Sequence, residues 1–431
     1  MDSKKILIIT YYWPPAGGPG VQRWLKFAKY LPEFGWKSII FTPENPSYPL
    51  IDESLMKDVP EDLEIIKTKI WEPYQLAEKL NKSNKKFKAG QFDVGNNQSW
   101  KSKLSIWVRG NFFIPDARVF WVNPSVKYLE QYLKINKIDV VVTSGPPHSL
   151  HLIGLQLKKQ FPEIKWIADF RDPWTEISYY KHLKLTNKSD KKHRQLESDV
   201  FKNADITLAT SYTDAENFRK NGANAVCITN GFDESDSTNP QTLRSSDSAT
   251  KFTLSYIGVL EQLRNPENLW KALDELVETN AEFAENFRLK FVGRIDDKIL
   301  NAIETSRLKN HLDNLGYLSH DKAINEMSSS TILLITNFPN ASSKGIIPGK
   351  IFEYLATGKQ IISFGPDDAD VAKILDETKA GKHFSYDNSE EIKNFILEKF
   401  ELWKSGNLSE NTGNIEQFSR RNLTKQLSDI L

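Results

Sequence analysis

A carboxylate, Glu353, stands inside the run GIIPGKIFEYLATGKQII (residues 345–362), among Ile351, Phe352, Leu355 and Ala356. A charge on so apolar a helical stretch faces either solvent or a ligand. Pro348 and Gly349 open the helix and Lys350 follows. A helix start presents N–H groups that no helical carbonyl takes up, a place for a phosphate. Lys350 adds positive charge there, and Glu353, a turn further in, can accept two hydrogen bonds from a ribose diol. In IADFRDPW (167–174), Asp169 and Asp172 flank Arg171 beside Trp174. Such a set either holds hydroxyls, orients the guanidinium toward a phosphate, or makes a structural ion pair at a domain edge. SGPPHSLH (144–151) ends the preceding strand. His148 there either caps its helix or contacts substrate, while His151 is expected to pack on the helix.

Two further loops carry polar chemistry at strand-to-helix turns. YYWPPAGGPGVQRW (11–24) places Gly17, Gly18 and Gly20 where a ligand can approach the backbone. As a dinucleotide fingerprint it is partial: Arg23 stands where a small third residue belongs, and Glu44 is a weak ribose candidate. SYIGVLEQLRNPENLWKAL (255–273) puts Arg264 just before a helix, where an arginine meets a diphosphate bidentately. Asp368 and Asp370 of GPDDAD have the spacing of a metal–diphosphate pair, but they also suit the first turn of the helix that follows, the preferred reading. No metal is expected. The one cysteine, Cys227, excludes an intramolecular disulfide and reads as a buried strand thiol.

The elements that must position these residues follow from patterning. Short β-rich runs (KKILIIT, WKSIIFT, IDVVVTS, KWIADF, DITLAT, NAVCITNG) alternate with amphipathic stretches such as GVQRWLKFAKYLPEFG, which Gly35 closes. Alternation of this kind makes parallel strands with crossover helices. A polar stretch, 233–251, interrupts it, and the pattern then restarts with FTLSYIG, FRLKFVG, STILLITN and KQIISFG. A chain of 431 residues exceeds one ordinary core. The expected organisation is an N-terminal Rossmann-like domain over 1–235 and a linker over 236–250. A second Rossmann-like domain then spans 251–410, and the closing segment 411–431 forms a helix that packs back on the first domain.

Hydrophobic content of 39%, charged content of 26% and a net charge of +1 describe a soluble globular chain, with no global field for nucleic acid. The N-terminus starts directly as a strand, and no run reaches the roughly 18 apolar residues of a membrane span. A cytoplasmic location is expected. A basic insertion at about 79–113, with Trp100, Trp107, Phe112 and Phe113 in or beside it, suits either a solvated excursion or contact with the inner face of a membrane.

Taken together, the glycine turn, VVVTSGPPHSLHLIGLQLKK, IADFRDPW, ITNGFD, GVLEQLRNPENL, PGKIFEYLATGKQII and FSRRNLTKQLSDIL resemble a GT-B glycosyltransferase of the family 4 type over nearly the whole chain. The resemblance implies two α/β, doubly wound domains facing a central cleft, with the C-terminal helix crossing back. It implies a nucleoside-diphosphate sugar as donor and no cofactor. Glu353 matches the second glutamate of the family's pair and is the implied ribose ligand. Arg264, Gly349 and Lys350 are the implied diphosphate ligands. Asp169, Arg171 and Asp172 are the implied catalytic set, and the Gly17, Gly18 and Gly20 loop and His148 contact donor or acceptor. Three positions depart from the family pattern: Gly345 replaces the first glutamate, Val259 replaces an arginine, and Arg171 replaces a histidine.

The implied reaction transfers a sugar, with retention, to a hydroxyl of a glycan or lipid-linked glycan in cell-surface polysaccharide biosynthesis. The competing readings are a sugar-nucleotide epimerase of the same fold, an NAD-dependent oxidoreductase, and a non-catalytic sugar-nucleotide-binding protein.

Overall fold

The computed structural model describes residues 3–72, 100–177, 180–233, 251–408 and 413–431. Most of the basic insertion (79–99) and the linker expected at 236–250 lie outside the described residues. The chain divides into two compact units, Met1–Asn230 with Arg420–Leu431, and Gly231–Ser419.

In the first unit the strands are β1 (Lys4–Thr10), β2 (Trp36–Pro43), β3 (Glu64–Thr68), β4 (Val140–Gly145), β5 (Lys165–Phe170), β6 (Ile206–Ala209) and β7 (Ala225–Cys227). They lie in the order β3-β2-β1-β4-β5-β6-β7, every pair parallel. The helices are α1 (Pro19–Tyr30), α2 (Trp100–Phe112), α3 (Val119–Ile135), α4 (Ser149–Gln160), α5 (Asn187–Asn203) and α6 (Tyr212–Lys220).

Strand alternation splits the core into two layers. Ile6 and Ile8 of β1 face Val21, Trp24, Leu25 and Ala28 of α1, while Leu7 and Ile9 face the layer of Trp121, Leu150, Ile153 and Trp166. Both faces are covered, which is why these strands read as unbroken apolar runs. The first helix ends at Tyr30, short of the Gly35 expected from its pattern. Pro32 has no N–H to continue an α-helix, so the chain tightens into a 3-10 turn over Leu31–Phe34, and Gly35 closes it at φ 79°.

The second unit holds β8 (Phe252–Leu260), β9 (Phe287–Ile295), β10 (Leu312–Asn314), β11 (Ile332–Thr336), β12 (Gln360–Phe364) and β13 (Gly381–Phe384). Their order is β10-β9-β8-β11-β12-β13, again all parallel. Its helices are α7 (Glu267–Thr279), α8 (Ala281–Asn286), α9 (Asp297–Glu304), α10 (His320–Ser329), α11 (Lys350–Thr357), α12 (Asp370–Thr378) and α13 (Ser389–Lys404). Gly258 and Gly293 stand opposite each other in register. A Cβ on Gly293 would lie 2.2 Å from the Gly258 carbonyl oxygen, so the backbones there meet only because no side chain intervenes.

The closing helix, α14 (Arg420–Ile430), belongs to the first unit. Its Leu423 and Leu427, four residues apart on one face, join the layer beneath α1. Lys165 Nζ donates to the Ile430 carbonyl at 2.6 Å, and Arg421 pairs with Glu33 at 3.0 Å. In each unit the strand order reverses once, between β1 and β4 and between β8 and β11. Ligands of open α/β sheets bind at such reversals, beyond the carboxyl ends of the strands. The glycine turn, the Pro146–His148 loop, the Arg264 turn and the loop before α11 leave from these four strands, and the Arg171 loop from β5 beside them, whereas Asp368 and Asp370 follow β12 and Glu44 follows β2.

Candidate functional site

In the second unit, β8 and α11 are sewn together at Ile257. The Tyr354 hydroxyl accepts from the Ile257 N–H at 3.3 Å, and Lys350 Nζ donates to the Ile257 carbonyl at 2.9 Å. The same ammonium lies 4.3 Å from the centre of the Tyr256 ring. This is a crowded place for a cation. Burial first, and the nearby Arg264 charge second, push Lys350 down to about 7, against the opposing pull of Glu353.

Arg264 ends a short turn (Gln262–Arg264). It donates from Nη2 to the Val259 carbonyl at 2.8 Å and packs its guanidinium over Phe338 at 5.4 Å. Its Nε is buried and has no hydrogen-bond partner among the described residues. Tyr386 fixes the surrounding loops: its hydroxyl donates to the Asn337 carbonyl at 2.5 Å, with the Arg264 carbonyl 3.2 Å away as the longer alternative acceptor. Asn337 in turn donates to the Ile346 carbonyl at 2.8 Å.

Helix α11 starts at Lys350 with Gly349 as its cap residue and no side chain capping it. Gly349 is exposed, and a Cβ there would touch nothing among the described residues. Glu353 lies in the first turn and is exposed. Arg264, Lys350 and Glu353, some ninety residues apart in sequence, thus share one electrostatic neighbourhood at the β8/β11 reversal. Gly345 is half-buried in the loop leading to α11. Asp370 is the first residue of α12 and is buried, while exposed Asp368 pairs with Lys344. Among the described residues, no group of three or more His, Cys, Asp or Glu side chains could hold a metal ion.

In the first unit, Asp169 points inward. It is fully buried and accepts from Arg23 Nε at 3.1 Å, Trp24 Nε1 at 2.7 Å and Ser144 Oγ at 2.8 Å, and Arg23 Nη2 lies at ion-pair distance, 3.1 Å, without a hydrogen bond. Arg23 also donates to the Thr229 carbonyl at 3.0 Å. Arg23 therefore anchors α1 to β5 and to the segment after β7, a role its place in the glycine-rich stretch did not reveal. Among the described residues, every donor that Asp169 meets belongs to the fold.

Arg171 clamps the loops. Its backbone N–H and Nε donate to the Gly145 carbonyl at 2.9 and 3.4 Å, Nη1 donates to the Gly20 carbonyl at 2.7 Å, and Nη2 donates to the Pro146 carbonyl. A Cβ on Gly20 would lie 2.2 Å from Nη1. The Gly17 N–H is taken by the Leu50 carbonyl at 2.9 Å, so Gly17 shapes the turn instead of offering a donor. Gly18, at φ 97°, is the cap residue of α1, which has no capping side chain and no acid in its first turn. Asp172 is exposed beside the clamp. Glu44 is exposed after β2, with its N–H tied to the Thr68 carbonyl at 2.8 Å.

His148 is 7% exposed, and neither ring nitrogen has a hydrogen-bond partner among the described residues. Its ring stacks on Trp174 at 5.2 Å and 6°. It occupies the cap position of α4 without a side-chain capping bond. His151 is buried, stacks on Phe170 at 4.3 Å and shares a 3.0 Å hydrogen bond with Thr143. Burial holds both imidazoles down, His151 to about 3, with Arg171 adding to the effect. Both are neutral at pH 7. Cys227 is half-buried in β7 and packs on the core.

The sequence reading missed the aromatic frame: Tyr256, Tyr354 and Tyr386 in the second unit, and Tyr12 stacked on Tyr48 at 6.1 Å in the first. The paired YY at 11–12, just past a buried strand, was the available signal.

No protein-family model matches the chain, and no curated protein matches it. Solved structures do. Sucrose-phosphate synthase from Thermosynechococcus elongatus aligns over 99% of this chain and 98% of its own, at 14% identity and a TM-score of 0.57. HepE of Anabaena, solved in complex with UDP-glucose, aligns over 99% and 98%, at 13% identity and a TM-score of 0.56. TarM aligns over 99% and 98%, at 10% identity and a TM-score of 0.56. At these identities the likeness is one of fold, and it extends over both units: two doubly wound parallel sheets in series, the arrangement of GT-B proteins.

Proposed function

We propose that the chain is a retaining glycosyltransferase that moves a sugar from a nucleoside-diphosphate sugar to a hydroxyl of a glycan or lipid-linked glycan. The observation that carries this reading is the cluster at the β8/β11 reversal. Two cations, Arg264 and Lys350, and an uncapped helix start stand beside an exposed carboxylate, Glu353. A diphosphate needs the first three and a ribose diol needs the fourth. The GT-B fold, seen also in a protein solved with UDP-glucose, supports the same donor class.

In this reading the bond between the anomeric carbon and the diphosphate breaks through an oxocarbenium-like transition state. Negative charge grows on the leaving diphosphate, and Arg264, Lys350 and the Gly349–Lys350 amides stabilise it, so the protein's own charges suffice. The acceptor oxygen bonds to the anomeric carbon on the face the diphosphate leaves, and the diphosphate oxygen takes the acceptor proton. The first unit supplies the acceptor side. Arg171 holds the glycine turn and the Pro146–His148 loop in place, Asp169 fixes α1 behind them, and exposed Asp172 and His148, whose ring nitrogens have no hydrogen-bond partner among the described residues, are the groups assigned to substrate. The setting is the cytoplasmic side of cell-surface polysaccharide biosynthesis.

Nucleoside diphosphate released per acceptor glycosylated tests the reading. With a sugar nucleotide and an acceptor panel, the wild-type chain releases diphosphate only when acceptor is present. Arg264→Ala, which removes one of two diphosphate cations, loses on the order of a hundredfold in kcat/KM. Full activity in Arg264→Ala would overturn the donor-site assignment. Release of free, epimerised sugar without acceptor would point to an epimerase.

A further inference from the structure

Helix α3 is apolar on two faces. Trp121, Val122, Val126 and Leu129 enter the core, but Phe120, Pro124, Tyr128 and Ile135, spaced four, four and seven residues apart, form a second stripe that is exposed. Beside it Trp71 meets Phe120 edge-on at 4.8 Å, Phe113 meets Phe120 at 5.9 Å, and Trp107 meets Phe112 at 5.6 Å. Among the described residues, every exposed tryptophan and phenylalanine lies in this one region, with Phe112 67%, Trp71 50% and Ile135 83% exposed. A groove of about 520 Å³ runs along the stripe past Lys127 and Tyr132. Monomeric proteins seldom leave so much contiguous aromatic surface without a use for it.

The surroundings are basic. Residues 100–137 hold seven Lys or Arg against two carboxylates, and of the seven Arg118 turns inward to the buried Glu72 at 3.0 Å. The segment Lys181–Arg194 holds six more against Asp190 alone. That segment is bound to α2: Asn111 donates to the Lys184 carbonyl at 3.2 Å and accepts from the Thr186 N–H at 2.7 Å. The aromatic stripe and both cation-rich segments therefore belong to one body.

We propose that this face of the first unit, α3 with the end of α2 and Trp71, docks on an anionic lipid bilayer. Aromatic side chains settle at the headgroup level of a bilayer, and nearby lysines reach anionic lipid while their stems cover apolar surface. A protein partner fits less well. Protein interfaces are depleted in lysine, and here lysine is the dominant charge interleaved with the aromatics. The proposal deepens the lipid-linked acceptor reading by naming the surface that brings the protein to its acceptor. It does not depend on the donor site, because vesicle binding requires no sugar nucleotide.

Flotation of the full chain with vesicles of phosphatidylcholine alone, and of phosphatidylcholine with about 30 mol% phosphatidylglycerol, tests it. The wild-type chain floats with the anionic vesicles at low salt and stays behind with the neutral ones. Phe112→Ser, Phe120→Ser and Tyr128→Ser together lower the partition coefficient at least tenfold, while the unfolding midpoint and turnover on a water-soluble acceptor are unchanged. Should that variant unfold, Lys127→Glu with Lys137→Glu, both at exposed positions, reads the charge half of the same surface by a matching loss. Quenching of tryptophan by brominated phosphatidylglycerol, lost on Trp71→Phe with Trp107→Phe, reports insertion in an otherwise native chain. A wild-type chain that ignores anionic vesicles, or binds them equally well without the three aromatics, overturns the proposal. So does self-association through this face in place of vesicle binding.

Discussion

Asp169→Ala lowers the stability of the first unit by about 3–5 kcal/mol, the largest single-residue effect expected in this chain. The carboxylate is the only acid within contact distance of the buried Arg23 guanidinium among the described residues, and it also satisfies the Trp24 indole and the Ser144 hydroxyl. Removing it leaves a charge and two polar groups in an apolar layer between α1 and the sheet. Denaturant unfolding reads the loss as a lower midpoint. Replacing both partners, Asp169→Leu with Arg23→Met, recovers most of it, because the cost lies in an unpaired buried charge and not in the missing pair. An Asp169→Ala midpoint within about 0.5 kcal/mol of wild type would show that the pair does not hold the unit together.

Lys350→Met reduces turnover on the order of 10²–10³-fold, the second large effect, since it removes positive charge where leaving-group charge grows. A pH dependence accompanies it. In the free protein the ammonium titrates near 7, pushed down by burial and by Arg264. A bound diphosphate favours the protonated form and raises that value. Below about 7 the lysine is charged in both states and donor affinity is flat. Above it, binding must take up a proton, and affinity falls by up to tenfold per pH unit until the bound-state value is passed. A sugar nucleotide has no phosphate that titrates in this window. Lys350→Arg keeps the charge and abolishes the slope. Calorimetric titration between pH 6 and 9 checks both, and a wild-type affinity independent of pH would place the lysine outside the donor site.

The β-strands were legible because both faces of each sheet are covered, so runs such as KKILIIT and STILLITN lack polar alternation. The strand order was not, because register and reversal points are set by long-range pairing. Glu353, Arg264 and Lys350 could be picked out by type and by their strand-to-helix positions. Their shared neighbourhood depends on Tyr354 and Lys350 gripping both polar atoms of Ile257, which no local pattern announces. The inward turn of Asp169 was not legible for the same reason. Its partners Arg23 and Trp24 lie some 145 residues away, and only the fold turns the carboxylate inward. The outward stripe of α3 escaped notice because a helix apolar on two faces reads from sequence as an ordinary buried one.

The central claim is that a sugar nucleotide binds the second unit through its diphosphate and ribose. Thermal unfolding of wild type and Glu353→Ala with a panel of nucleotide sugars tests it most directly. One nucleotide sugar should raise the wild-type midpoint, by ligand binding to the folded state alone, and should leave Glu353→Ala unmoved. Equal stabilisation of both proteins, or none of either across the panel, would contradict the account.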